Sequence, residues 1–265
     1  MANDIALSVI LPVYNGAGTL DQQLEALAAQ ELGRPWELIV ADNGSTDESQ
    51  DVAISWKSRI PCLRLVDASC RRGGAAARNL GAASASGPHL LFCDQDDVVQ
   101  PGWLEAMARA LVDHDLVAGR NDFEALNRPA GAVGRDGQRR RRAPSRFDFY
   151  GYLPYGLGCN LGVSRRAFDA VDGFDETIMS ANDLDLCWRL QLAGHPLHVE
   201  SSAVVAKRGR LVCGAIWRQH FTYGLDDPKL YRRFRAHGMP RKLGRAARRY
   251  AWLVAHLHHL RNPST

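Results

Sequence analysis

Along the first hundred residues, short apolar runs alternate with segments of helical spacing, and polar turns separate the two. Ala6-Leu-Ser-Val-Ile-Leu-Pro-Val13 reads as a buried strand that Pro12 closes. The turn Asn15-Gly-Ala-Gly-Thr19 follows, with Thr19 placed to cap a helix whose Leu20, Leu24, Leu27 and Ala28 share one face. Trp36-Glu-Leu-Ile-Val-Ala41 is the second strand, ended by the polar turn Asp42-Asn-Gly-Ser-Thr-Asp47. A helix over 49–56, a third strand over 62–66 and a glycine-entered helix over 73–85 come next. They lead to His89-Leu-Leu-Phe-Cys93, an apolar run that ends in Asp94-Gln-Asp-Asp97. Short strand–helix units of this kind predict an α/β domain with a mostly parallel sheet and helices on both faces. Ligands of such sheets lie beyond the carboxyl ends of the strands, so residues 12–15, 42–47 and 94–97 are expected to border one crevice.

Beyond a helix near 101–112 the pattern loosens. Residues 128–146 are rich in Gly, Pro and Arg and include Arg139-Arg-Arg-Arg142. That composition cannot bury a core and reads as a mobile loop over the site. Strand character resumes over 155–163, helices are expected over 165–171 and 183–193 with Gly194 as C-cap, and a late strand near 204–208. Over 241–261, Leu243, Tyr250, Leu253, Leu257 and Leu260 fall on one helical stripe among arginines. The expected organisation is a domain over 1–206, with halves at 1–112 and 113–206, and a basic helical region over 207–265.

The net charge of +4 conceals an asymmetry. Residues 207–265 hold 14 Lys and Arg against Asp226 and Asp227, a balance of +12, while residues 1–206 carry −8. A basic tail on an acidic body is expected to meet an anionic surface, such as the inner face of a membrane. The acidic body argues against nucleic acid, and no aromatic–basic recognition motif accompanies it. The six cysteines are scattered without a Cys-x-x-Cys pair, which predicts reduced thiols rather than disulfides or a zinc site. No basic stretch followed by a long apolar run stands at the N-terminus, and no apolar segment reaches membrane-spanning length. The expectation is a cytoplasmic protein.

Three acids at one strand end repel one another unless a cation lies between them. A helix cap accounts for one, with Asp97 the best suited; a divalent cation on a diphosphate accounts for Asp94 and Asp96. Asp42 is suited to accept a base N–H, or simply to close an Asx turn. Gly73-Gly-Ala-Ala-Ala-Arg-Asn79 lacks the lysine and spacing of a P-loop and predicts a small-residue helix packed tightly on the sheet, from which Arg78 can reach a diphosphate. Asp183 and Asp185 open the helix Asn182-Asp-Leu-Asp-Leu-Cys-Trp-Arg189, either as first-turn acids favoured by the dipole or, for Asp183, as a general base facing the crevice.

Taken in order, Val9-Ile-Leu-Pro-Val-Tyr-Asn15, Ile39-Val-Ala-Asp-Asn-Gly-Ser-Thr-Asp47, Ala77-Arg-Asn-Leu-Gly81, Leu91-Phe-Cys-Asp-Gln-Asp-Asp97, Asp172-Gly-Phe-Asp-Glu176 and Asn182 to Arg189 resemble the family 2 glycosyltransferases of GT-A fold. The resemblance spans roughly residues 8–194. It implies that Pro12, Val13, Tyr14 and Asp42 surround a nucleobase, that Asp94 and Asp96 share the ribose and a divalent metal (Mg or Mn), and that Asp183 deprotonates an acceptor hydroxyl. The implied reaction is a single, inverting sugar transfer from a nucleotide-sugar, with UDP as nucleotide, to a glycan, lipid-linked or small-molecule hydroxyl. Two departures stand out. Asn182 replaces the Glu of the usual Glu-Asp pair, and Ala206 takes the place of a late metal-binding histidine. The processive Gln-x-x-Arg-Trp signature is absent. A nucleotidyltransferase would share the acidic strand end but needs a basic glycine loop after the first strand, which 15–19 is not. A non-catalytic nucleotide-sugar binder is the other competing reading.

Overall fold

The computed structural model describes residues 5–60, 62–127, 151–209 and 213–241. The loop expected over 128–146 lies outside them, as does almost all of the basic helix expected over 241–261. The first half is a run of strand–helix units: β1 (Leu7–Val13), α1 (Ala17–Ala28), β2 (Trp36–Asp42), α2 (Ser49–Ser55), β3 (Leu63–Asp67), α3 (Gly74–Ser84) and β4 (His89–Cys93). The second half contributes β5 (Val98–Val99), α4 (Trp103–Asp113), β6 (Leu116–Asp122), β7 (Asn160–Ser164), α5 (Arg165–Ala170), α6 (Asn182–Leu192), β8 (Leu197–Ala206) and α7 (Cys213–Phe234).

All eight described strands form one sheet in the order β3-β2-β1-β4-β7-β6-β8-β5. The pairings β2–β3, β1–β2, β1–β4 and β6–β8 are parallel, and β7 lies antiparallel between β4 and β6. Six of the eight strands therefore run the same way, with β7 and the two-residue β5 reversed. Val13, Asp42, Asp67, Cys93, Asp122 and Ala206 end at one edge, and Asn160 begins β7 there, opposite Cys93. The strand order reverses at β1, between β2 and β4, where an open α/β sheet leaves its crevice.

The near-continuous apolar strands are explained by burial on both faces. Leu7, Val9, Leu11, Leu38, Val40 and Leu91 point towards α1, α2 and α4, where they meet Leu20, Leu24, Trp103 and Met107. The alternate residues Ile10, Leu90 and Phe92 pack on Ala75, Ala82, Phe168 and Leu186 of α3, α5 and α6. The alanines of α3 (Ala75, Ala76, Ala77, Ala82) let that helix lie close to the sheet, as its composition predicts. A third cluster joins Leu184 and Trp188 of α6 to Leu230 and Phe234 of α7. Among the described residues, no helix is long and apolar enough to cross a membrane.

Thr19 is not the cap of α1. The helix starts two residues earlier, and Thr19 sits within its first turn. The orphan N–H groups of Gly16 and Ala17 are taken by Ser49 Oγ at 2.8 Å and Asp47 Oδ2 at 3.1 Å. A cap supplied from a neighbouring turn removes the need for a local one.

Between Gly119 and Arg120 the β6–β8 register shifts, which leaves carbonyls without ladder partners. Asn160 fills the gap. Its Nδ2 donates to Arg120 O at 3.0 Å and Ala203 O at 3.1 Å, while its Oδ1 accepts Trp103 Nε1 at 2.8 Å. A Cβ at Gly119 would stand 2.3 Å from Asn160 Oδ1 and 2.4 Å from Ala203 O, so only glycine lets the amide in. We predict that Gly119→Ala lowers unfolding free energy by about 1–3 kcal/mol through overpacking. Urea denaturation checks it; an unchanged midpoint would show that the bulge adapts freely.

Candidate active site

Of the eight residues nominated from the sequence, four meet in one cavity at the carboxyl edge of the sheet. Arg78, Asp94, Asp96 and Asp183 line a space of about 480 Å³ together with Gly158, Cys159, Lys207, Arg208 and Thr222. Each wall comes from a different element. Arg78 projects from α3, the acids follow β4, Gly158 and Cys159 precede β7, Asp183 opens α6, and Lys207 and Arg208 leave β8.

Arg78 is buried, and its Nη2 lies 2.5 Å from Asp94 Oδ1. Burial works against its charge, but Asp94 and Asp183 outweigh that and hold the guanidinium above its ordinary pKa. Its Nε has no partner among the described residues although it is sealed from solvent. A cation already ionised, and with a donor unspent, suits an anionic ligand.

Asp183 Oδ2 accepts the Gly158 N–H at 2.9 Å, and Oδ1 accepts the N–H of Leu184 at 2.8 Å. Burial pushes its carboxyl above the usual carboxylate range, against those two hydrogen bonds and the charge of Arg78. A base adjusted upwards and facing a cavity is what proton abstraction requires. Asp185 has the other role. It is fully buried and bound by Arg189 Nε at 2.7 Å and Arg233 Nη1 at 2.5 Å, which ties α6 to α7. The two acids of this motif are thereby separated into one that faces the cavity and one that holds the helices together.

Asp97 is not a helix cap. The chain goes on into β5, and α4 begins only at Trp103. Asp97 is instead 1 % exposed, accepting Lys207 Nζ at 2.9 Å and the Arg208 N–H at 2.8 Å. Burial raises its carboxyl to about 6 despite Lys207. Ala206, where the resemblance implies a late histidine, is a buried strand residue paired with Val98, and it is the next residue, Lys207, that reaches the acids.

Pro12, Val13, Tyr14 and Asp42 lie along the same edge but do not line this cavity. Gln95 links the two parts, accepting Tyr14 N at 2.8 Å and donating to Tyr14 O at 3.0 Å. Val13 has its side chain in the core, and its carbonyl accepts Asn43 N at 2.7 Å. Asp42 is 2 % exposed and accepts Gln50 Nε2 at 2.8 Å and Ser45 N at 3.2 Å, so the Asx-turn reading holds for its present partners. Tyr14 is 46 % exposed, with the Arg72 guanidinium 5.8 Å from its ring centre, an open aromatic face at the strand end. Asn43 clamps the following loop: its amide donates to Ala68 O and Arg71 O, and its Oδ1 accepts Gly73 N at 2.7 Å. Gly73 has φ +128, which favours glycine just ahead of α3.

Lys207, Arg208, Gly158, Cys159 and Gln95 were not found from the sequence. A basic pair directly after a strand that shares an edge with three acids was the available signal, but it was absorbed into the basic tail.

A divalent ion can be tested against the donors present. Asp94, Asp97 and Cys159 bring ligand atoms within 4.8 Å of one another. This set fits an ion badly: burial holds the Cys159 thiol well above its ordinary pKa, and both carboxylates are already paired to protein cations. Asp96 fits better. It lines the cavity, and among the described residues no hydrogen bond or ion pair takes up its carboxylate. An ion held there would rely on diphosphate oxygens for its remaining ligands.

Residues 8–171 match the family model for Glycosyl transferase family 2. The validoxylamine A glucosyltransferase of Streptomyces hygroscopicus subsp. jinggangensis is 32 % identical over 223 residues, which is 73 % of this chain and 53 % of that protein. The pre-mycofactocin glycosyltransferase of Mycobacterium tuberculosis is 32 % identical over 216 residues, 76 % of this chain and 42 % of that protein. The chain thus spans about half the length of the curated relatives it matches. Among solved structures, the mannosyltransferase PcManGT of Pyrobaculum calidifontis, in complex with GDP-Man and Mn2+, superposes with a TM-score of 0.62 at 22 % identity, covering 83 % of this chain and 64 % of that one. That likeness establishes a shared GT-A fold.

We predict that Asp185→Asn destabilises the protein while Asp183→Asn does not. Loss of the Asp185 charge leaves Arg189 with carbonyl partners only and Arg233 with Asp175 alone. The fully buried figure of about 3–5 kcal/mol is reduced here by those remaining bonds and because Arg233 is partly solvated. Thermal unfolding of the two variants separates them, and equal melting temperatures would contradict the division of roles.

Proposed function

The chain belongs to glycosyl transferase family 2, and from that membership we propose that it moves one sugar from a nucleoside-diphosphate sugar to an acceptor hydroxyl with inversion. The observation that carries the reading is the cavity itself, in which a carboxylate of raised pKa, Asp183, shares one open cleft with the ionised Arg78–Asp94 pair. The proposed donor nucleotide is UDP, whose base has an N–H for the Asp42 region and whose ring can lie on Tyr14.

In this mechanism the acceptor O–H gives its proton to Asp183 as the oxygen attacks the anomeric carbon. The bond from that carbon to the diphosphate oxygen breaks, and the nucleoside diphosphate leaves with the electron pair. Arg78 stabilises the charge that develops on the leaving group, and Asp94 fixes the guanidinium in place. Asp96 would hold a divalent ion, which when bound supplies further neutralisation of the diphosphate. The Gly158 N–H orients Asp183 without neutralising it.

Asp183→Ala is expected to lower kcat by about 10²–10⁴-fold, the usual share of a general base, with nucleotide affinity kept. Turnover at the wild-type rate would remove Asp183 from the mechanism. Since only the ionised carboxylate accepts a proton, kcat/KM should fall as pH decreases, with an acid limb above the ordinary carboxylate range. A profile that stays flat down to the usual Asp range, measured with UDP-sugar donors, would contradict the assignment.

A further inference from the structure

Two cations of the supposed basic tail are in fact part of the cavity wall, and one of them lies inside the only cluster of metal-type donors found among the described residues. Lys207 Nζ lies 2.9 Å from Asp97 Oδ2 and 3.9 Å from Asp94 Oδ2, two of the three groups in that cluster, and its third neighbour there is the Cys159 thiol. A divalent ion on the same atoms would sit within a few ångströms of a fixed positive charge, in a partly desolvated place where such repulsion is poorly screened.

The backbone holds this lysine where it is. Lys207 N donates to Asp122 O at 2.7 Å. Arg208 N and Nε donate to Asp97 Oδ1 at 2.8 Å and Asp96 O at 3.0 Å, and Arg208 Nη2 reaches Gln22 at 2.6 Å. Burial disfavours the ammonium, but Asp94 and Asp97 outweigh it, so the group is charged at any working pH. Its side chain remains 24 % exposed, on the wall it shares with Arg78, Asp96 and Asp183. An ammonium has three donors; Asp97 takes one and the Cys159 sulfur is a second neighbour, while Asp94 at 3.9 Å is beyond hydrogen-bond reach.

We propose that Lys207 is a built-in cation of the diphosphate site, binding the nucleoside diphosphate through its ammonium so that nucleotide affinity does not depend on an ion at Asp96. The proposal rests on the nucleotide-sugar reading above. It assigns to Lys207 the neutralisation of Asp94 and Asp97 from within the protein, and leaves the opposite side of the ammonium and Arg78 to the two phosphates.

Calorimetric titration of the full chain with UDP and with GDP, in excess EDTA and again in Mg2+ or Mn2+, tests it. Affinity for the preferred nucleotide in EDTA should lie within about three-fold of that with metal, whereas the double variant Asp97→Asn/Lys207→Met should bind about ten-fold or more weakly in EDTA, a charge-assisted hydrogen bond having that worth. The paired substitution removes the ammonium without leaving a buried carboxylate alone, and its melting curve reports whether it folds. Lys207→Arg, which keeps the charge, should retain metal-free binding. Wild-type binding that appears only with metal would overturn the proposal and leave the nucleotide-sugar reading intact, as would undiminished EDTA binding by the folded double variant. No binding of either nucleotide under any condition would overturn both.

Discussion

The arrangement depends on one buried charge contact, between Asp97 at the foot of the acidic turn and the Lys207–Arg208 pair that ends β8. A carboxylate 1 % exposed is costly unless it is matched, and the match comes from 110 residues away in sequence. It brings the end of β4 to the end of β8 across the intervening β7 and β6. With those two ends together, the acids, Arg78 and the start of α6 border one volume. The β5–β8 pairing holds the same two ends and the Arg78–Asp94 ion pair holds the acidic turn, so the contact sets the charge facing the acids on a wall that other bonds also position. Stability and the charge of the site are here the same interaction.

The nucleotide half was the more legible in the sequence, because its information is local. Apolar strands such as Val9–Leu11 and Leu38–Val40 announce burial on both faces, and the polar turns that follow them mark the edge where ligands bind. Asp94, Asp96, Arg78 and Asp183 could be nominated because each stands at the border of a periodic segment. What could not be read were partners distant in sequence. Thr19 was assigned a cap that Ser49 and Asp47 supply. Asp97 was given a local cap when its partner lies after β8. Nor does the sequence show that Gln50 and Ser45 bond the Asp42 carboxylate, or that the Val13 side chain enters the core. Lys207 was counted with the tail because charge statistics do not register which strand end a residue follows.

The last described helix has a part in this that its composition conceals. Asp226 of α7 is fully buried and accepts the Ser180 N–H at 2.7 Å, Lys229 donates to Thr177 O at 2.8 Å, and Arg233 reaches both Asp175 and Asp185. All but the Asp185 contact fall on the stretch that leads into Asp183, and Asp185 lies two residues past it. The 8–171 segment matched by the family model contains Arg78 and the acidic turn but not that stretch, nor the helix that holds it. A basic helix can thus act as a brace, with Lys229 and Arg233 bonded to acids and a carbonyl of its own chain.

The reversed direction of β7 has a consequence for how the cavity wall is held. The parallel strands reach the rim through short crossovers that pack on the sheet, so the lengths and sequences of those connections are bound to the core. β7 arrives from the rim side, and only its pairing with β4 and β6, together with Asn160, fixes where it begins. Gly158 and Cys159 are placed by that pairing and by the Gly158 N–H bond to Asp183. The strand that runs against its neighbours is thereby one whose start, rather than its end, faces the cavity. The residues leading into it are held from both sides: by the sheet behind them and by the opening turn of α6 in front.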